Sequence, residues 1–418
     1  MRKVTCALVM GLMVGGCGGG DEAQKPPATP SSPPVAAVDT SSPPAAGTPS
    51  STPAKPKPSP AELQAATLKA MNDARNAHDA KKVASLFAED AVVSFAGLPD
   101  EHGRAEIEKG NQHLFDGYKD SKYWMTRTWT KKDMVAIEWA WSGTNNGEIM
   151  GMKPTEKPAG AFGFSVLWFN DDGLVKREDA FMDMATVMAQ LTGKGKARAI
   201  PTPSSSVEAH TAKDSPDEAK NIDLVKGMYA GLDGKKEADF IGPMADDIEY
   251  NDLTAPESMK GKGEAKKFFG MFTKAFPDGK SNVTNVFAAE DFVIAEVNLT
   301  GTHKGQFGPF AATKKPVNMH AAEIFQVKDG KVIRGWTFAN NAEFLTQIGV
   351  IKPPAPPKTG AAPAPAAVGA PGAKPADKTS PTTMDKTSPS VLDKTSPTSA
   401  DKTSPTGADK TSPTNVKK

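Results

Sequence analysis

The most pointed chemical group in the chain is the carboxyl of Asp183. Strand alternation places it on one face with Phe162, Phe164, Trp168, Asp179 and Phe181. A carboxyl among phenyl rings is poorly solvated, and desolvation raises its pKa. Such a group can take a proton from carbon beside a carbonyl and return it to oxygen. The same aspartate can equally end a strand and cap a helix that starts at Met184 or Ala185. Asp179 shares its face and is the next carboxyl to test.

Further along, Asn340 stands where Asp183 stood, and an amide has no proton to exchange near neutral pH. Taking Asp329-Gly330 as a two-residue turn pairs Val327 with Val332, Phe325 with Arg334, Glu323 with Trp336 and Ala321 with Phe338. One face then carries Glu323, Phe325, Trp336, Phe338 and Asn340 as a pocket lining. A one-residue slip inverts that assignment. Glu323 is either a substitute base or the buried partner of Arg334 or of a backbone donor.

Other chemistries find no purchase. None of the six histidines is paired at metal-ligand spacing, and there is no His-Glu-x-x-His helix. No glycine-rich phosphate loop follows a strand, and there is no serine nucleophile elbow. Neither metal nor cofactor is therefore expected. A net charge of +1 gives no electrostatic reason for a nucleic-acid partner. The Trp139/Trp141 stripe reads as core or as a domain–domain contact.

The elements that must position these groups occur twice. Trp141-Ser-Gly-Thr-Asn-Asn-Gly147 aligns with Leu299-Thr-Gly-Thr-His-Lys-Gly305, Pro154–Pro158 with Ala312–Pro316, and Asp172-Gly173 with Asp329-Gly330. Leu63, Ala66, Leu68, Met71 and Ala74 fall near helical spacing, as do Ile222, Val225, Met228 and Leu232. A short helix with Val83, Leu86 and Phe87 follows, then a third helix after Gly103 and after Gly261. Val135, Ile137, Trp139 and Trp141 alternate as a strand, as do Val293, Ala295, Val297 and Leu299. Helices first and an antiparallel sheet after them give an α+β domain. Each repeat, 61–193 and 215–350, has the commonest domain size. Residues 194–214 read as a linker.

This pattern resembles the SnoaL-like polyketide and ester cyclases of the nuclear transport factor 2-like superfamily. The residues that carry it are Ala275-Phe-Pro-Asp278, Thr300-Gly-Thr-His303, Ile324-Phe325 before Asp329-Gly330-Lys331, and Trp336. In the first repeat they are Gly143-Thr144, Asp172-Gly173 and Phe181–Thr186 before Gln190-Leu191. The resemblance implies two tandem cones, each a curved, mainly antiparallel sheet packed on three helices around an apolar pocket. It also implies an acid–base role for Asp183, the aspartate near the end of the last strand.

The ends read differently. Arg2, Lys3 and the apolar run Val4–Val14 form an export signal too short to span a bilayer, which takes about 20 residues. It ends in Val14-Gly-Gly-Cys17, which resembles the lipobox of bacterial lipoproteins. That resemblance implies cleavage after residue 16, lipid on Cys17, and attachment to a membrane on the exported side. Residues 17–60 read as a disordered proline-rich stalk. Residues 351–418 read as a disordered tail carrying Asp-Lys-Thr-Ser-Pro units that lack any apolar face for stacking.

Three functions compete. The apolar lining supports equally a binding module for a small apolar molecule or lipid and a cofactor-free enzyme, and the loss of the aspartate in the second repeat tips the reading toward binding. The alternatives are a cofactor-free cyclase or isomerase using Asp183, and a structural role through homodimer or domain–domain pairing.

Overall fold

The computed structural model describes residues 58–149 and 151–352. The segment read as an export signal, Cys17 as its expected lipid-attachment residue, nearly all of the proposed stalk and nearly all of the tail lie outside the described residues. The first repeat runs α1 (Pro60–Asn76), α2 (Ala80–Ser85), β1 (Phe87–Phe95), β2 (Glu101–His102), α3 (Gly103–Gly117), β3 (Lys122–Lys131), β4 (Met134–Thr144), β5 (Pro158–Phe169), β6 (Val175–Met182) and α4 (Met184–Thr192). A short strand β7 (Glu208–Thr211) precedes the second repeat. That repeat runs α5 (Pro216–Asp233), α6 (Glu237–Ile241), β8 (Met244–Asp252), β9 (Met259–Lys260), α7 (Lys262–Ala275), β10 (Lys280–Ala289), β11 (Phe292–Thr302), β12 (Pro316–Lys328), β13 (Lys331–Ala339) and α8 (Asn341–Gln347). Phe87, expected on the second helix, instead begins β1.

Both repeats start with the same local chemistry. Ser59 caps α1: its hydroxyl accepts from the Glu62 N–H, and the Glu62 carboxylate accepts from the Ser59 N–H. Ser215 and Glu218 repeat this box at α5, with proline again in the first turn. Two orphan helix donors are satisfied each time, where proline's missing N–H costs nothing.

The first sheet has the order β2-β1-β6-β5-β4-β3-β7, the second β10-β11-β12-β13-β8-β9. The β3–β4–β5–β6 and β10–β11–β12–β13 meanders are antiparallel, while β1 joins β6 and β8 joins β13 in parallel. Each concave face holds the core of its own repeat. Met71, Val83, Phe115 and Trp139 belong to the first core; Met228, Phe272, Val297 and Phe325 belong to the second. The segment read as a linker is not free of either repeat: β7 pairs in parallel with β3, placing His210 against Trp129 and Phe292.

The β12–β13 register departs from the expected one. Val327 does face Val332, but a bulge beside it leaves Ile333 unpaired. Glu323 therefore pairs with Thr337, Ile324 with Trp336, Phe325 with Gly335 and Ala322 with Phe338. One extra residue reverses the facing of everything beyond it. Glu323 and Phe325 remain on the concave face, while Trp336 and Phe338 move to the convex one. In the first repeat Phe162, Phe164, Trp168 and Phe181 also lie on the convex face, not inside the cone.

Those convex faces are covered because the two sheets pack on each other. Trp129, Phe164, Val166 and Phe181 meet Phe287, Phe292, Ile324 and Phe338 in a third core, flanked by Phe162, Trp168 and Trp336. Phe164 stacks on Phe338 with ring centroids 5.2 Å apart. The Arg127 guanidinium lies 4.0 Å over the Trp336 ring while pairing with Glu138. The two repeats are thus joined by a core of the same kind as those within them.

Candidate functional site

The second repeat encloses a cavity of ≈ 400 Å³ between its helices and its concave sheet. Met228, Leu232, Ile248, Phe272, Leu299 and Phe344 supply much of its apolar wall. Glu323, Phe325 and Asn340 line it.

Glu323 stands in a cluster built from four elements. Tyr229 on α5 donates to Oε2. The Tyr250 hydroxyl on β8 and the Thr337 hydroxyl on β13 each lie 3.2 Å from Oε1, and 2.8 Å from each other. The register explains the arrangement: Thr337 sits directly across from Glu323 only because of the Ile333 bulge. Burial pushes the Glu323 carboxyl above its ordinary range, against the opposing effect of these hydroxyl donors. Burial likewise raises both tyrosines, and the nearby Glu323 charge adds to it. Arg334, an expected partner of Glu323, lies across the hairpin from Gln326 instead. Tyr229, Tyr250 and Thr337 were not singled out in the sequence. A faint signal was available, since the chain has four tyrosines and two of them fall here.

The same concave face is filled differently in the first repeat. Trp139 and Trp141 occupy positions that Val297 and Leu299 hold in the second, opposite Gly163 and Ala161. A Cβ on Gly163 would lie 2.3 Å from the Trp139 ring, so glycine there makes room for the indole. Trp139 Nε1 donates to Ser165 Oγ at 2.9 Å, and Ser165 is the counterpart of Glu323. Trp141 packs edge-on against Tyr118 at 4.8 Å. The tryptophan stripe is core.

Asp183 does not present a free carboxyl. It caps α4, with Oδ1 accepting from Ala185 N and Oδ2 from Thr186 N and Oγ1. Its Oδ1 also accepts from Asn341 N in the second repeat at 2.9 Å. Asn340 mirrors it, capping α8 and accepting from Met184 N at 3.2 Å while donating to Ala96 O. Each residue therefore caps its own helix and receives a backbone N–H from the other repeat's helix start. Burial pushes the Asp183 pKa up to about 6 despite these donors.

Two consequences of that geometry can be measured. An acid whose folded pKa stands above its unfolded value of about 4 holds more protons when folded, so stability present at low pH is lost as pH rises toward that folded value. Asp183→Ala is expected to lower stability by about 1–3 kcal/mol, because three N–H groups lose a buried acceptor. It should also flatten this acid-side slope, as read by urea unfolding at pH 4.5 and pH 7. Lost ligand binding at unchanged stability would instead make Asp183 a pocket residue.

Asp179 lies on the convex side, held bidentately by Arg177 at 2.7 and 2.9 Å. Beside it Glu296 is pushed up to about 7, chiefly by burial. Its first-repeat counterpart Glu138 has Arg127, whereas Glu296 has Asn285 at 2.8 Å. Among the described residues no cluster of three or more histidine, cysteine or acidic side chains has the geometry to hold a metal.

The sequence profile of the SnoaL-like polyketide cyclase family matches twice, over residues 65–191 and 223–348, together more than half the chain. Similar solved structures each match about one repeat. AclR from Streptomyces galilaeus is 27% identical over 34% of this chain and 87% of its own, with a TM-score of 0.31. A SnoaL-like protein from Jannaschia sp. CCS1 is 22% identical over 33% and 96%, at 0.31. IdmH from Streptomyces antibioticus is 20% identical over 31% and 98%, at 0.28. A comparison with curated proteins finds no match.

Proposed function

The chain belongs to the SnoaL-like polyketide cyclase family, and from that premise we propose that its second repeat binds a small apolar molecule or lipid in its cone, while the first is a filled partner that covers the second sheet's convex face. The observation that carries this reading is the asymmetry of the two concave faces. One encloses ≈ 400 Å³ lined by methionine, phenylalanine and leucine side chains; the other is packed with Trp139 and Trp141. Apolar cavities of this size with a few convergent polar groups are typical small-molecule sites. Acid–base chemistry at Asp183 is the less supported reading, because both of its oxygens already accept two hydrogen bonds each.

The reading is tested by incubating the purified chain with a lipid and metabolite extract and recording a native mass spectrum. One added ligand mass per chain is expected. Two equivalent additions, or none, would contradict it.

The binding unit is proposed to work at a membrane surface. Lipid on Cys17 and the proline-rich segment after it would hold the repeats away from the bilayer, by of order 100 Å at about 3.1 Å per extended residue. Among the described residues no helix is long and apolar enough to cross a membrane. Cys17→Ser is expected to leave the precursor uncleaved or to move the protein from the membrane fraction into the soluble one. Unchanged cleavage and membrane partitioning would exclude the anchor.

A further inference from the structure

We propose that the Glu323 end of the cavity is a headgroup site for a lipophilic amine, an apolar molecule carrying one protonated primary nitrogen. The inference rests on the reading that this cavity holds a ligand, and it adds what that ligand must carry.

Four contacts link Glu323, Tyr229, Tyr250 and Thr337, but the three hydroxyls bring only three protons. With the carboxylate ionised, every hydroxyl proton can be engaged inside the cluster. What remains to face a ligand is lone pairs on the carboxylate and the phenol oxygens. A ligand headgroup meeting that surface must donate, and a primary ammonium donates three times.

Among the described residues no lysine or arginine lines the cavity. Its titratable neighbours are Asp252 on β8, the two tyrosines, and the pair His320–Glu343, in which Nδ1 of the imidazole lies 2.7 Å from the carboxylate. Asp252 accepts from Thr254 N and Oγ1, while Arg198 donates to the backbone oxygens of Asp252 and Ala255. Glu323 is thus a buried carboxyl without a cationic partner, beside a second carboxyl. Burial raises both groups, and a cation inside the cavity would relieve that penalty. A buried ion pair is favourable only when its remaining lone pairs are satisfied, and the three hydroxyls satisfy them in advance.

Tyr229 and Tyr250 both stand near Phe325, at centroid distances of 6.2 and 6.4 Å. Aromatic faces attract a desolvated cation through their quadrupole. The apolar remainder of the cavity takes the hydrocarbon body, and an anionic headgroup would meet like charge.

The test uses three ligands with one skeleton, 2-(1-naphthyl)ethylamine, 2-(1-naphthyl)ethanol and 1-naphthylacetate, titrated calorimetrically into the full chain. At pH 7.5 the amine is expected to bind about tenfold tighter than the alcohol, as a charge-assisted contact should, with the acetate weakest. Glu323→Gln should abolish the amine's preference over the alcohol, while Nile red still binds. Amine affinity should fall as pH is lowered, because Glu323 must surrender its proton to pair with ammonium. That slope should vanish in Glu323→Gln, where Asp252 and His320–Glu343 still titrate. Binding of the alcohol or the acetate as tight as the amine would overturn the headgroup assignment while leaving the cavity a ligand site. Failure of all three, together with the neutral dye Nile red, would overturn the cavity reading and this inference with it.

Discussion

Phe338→Ala is expected to destabilise both repeats together, by about 3–5 kcal/mol. Phe338 is 1% exposed and stacks on Phe164 from the first repeat. Removing its ring opens a void in the core between the sheets, where neither side can collapse independently. Five of the six tryptophans lie in the first repeat, so their fluorescence reports unfolding of the half that does not carry the substitution. The expected result is one cooperative urea transition with a lower midpoint, seen equally by tryptophan fluorescence and by far-ultraviolet circular dichroism. A fluorescence transition left in place while the second repeat unfolds alone would mean that the sheets are separately stable. For the same reason, fragments 61–193 and 215–350 made apart should expose Phe164, Phe181, Phe292 and Phe338 and self-associate.

Much of the architecture was legible because it rests on local rules. The Ser-Pro-x-Glu boxes, the helical apolar spacing and the repeated Asp-Gly turns each have a short-range cause. The facing of residues was harder to read, for two reasons. The Ile333 bulge adds one residue inside an alternating run, and alternation alone carries no mark of it. Strand β5, Ala159-Gly-Ala-Phe-Gly-Phe-Ser-Val-Leu-Trp-Phe169, is apolar on both faces because both are buried, one by its own helices and one by the other sheet. Choosing the aromatic face as the pocket therefore selected the interface. The opposite choice had a physical clue. Gly163 and Ser165 are small where Trp139 must fit, so the inner face is the one with missing volume. The cluster around Glu323 was less visible still, because it draws single residues from α5, β8, β12 and β13 that only the bulged register brings together.

Filling the second cone should remove its binding site. Leu299 lines the cavity at the position where the first repeat carries Trp141. Leu299→Trp therefore places in the second repeat the indole that already packs the first. Overpacking should cost about 1–3 kcal/mol of stability, which a covered, cooperative unit can absorb. Ligand affinity should drop by about a hundredfold or more, since the ring and the ligand compete for one volume. The most direct measurement of the central claim is a titration of the intact chain with a neutral apolar fluorophore, wild type beside Leu299→Trp, with folding of both confirmed by circular dichroism. One saturable site per wild-type chain, absent from the folded variant, is the predicted result. Two sites per wild-type chain, or a site that survives in Leu299→Trp, would contradict the assignment of binding to the second cone.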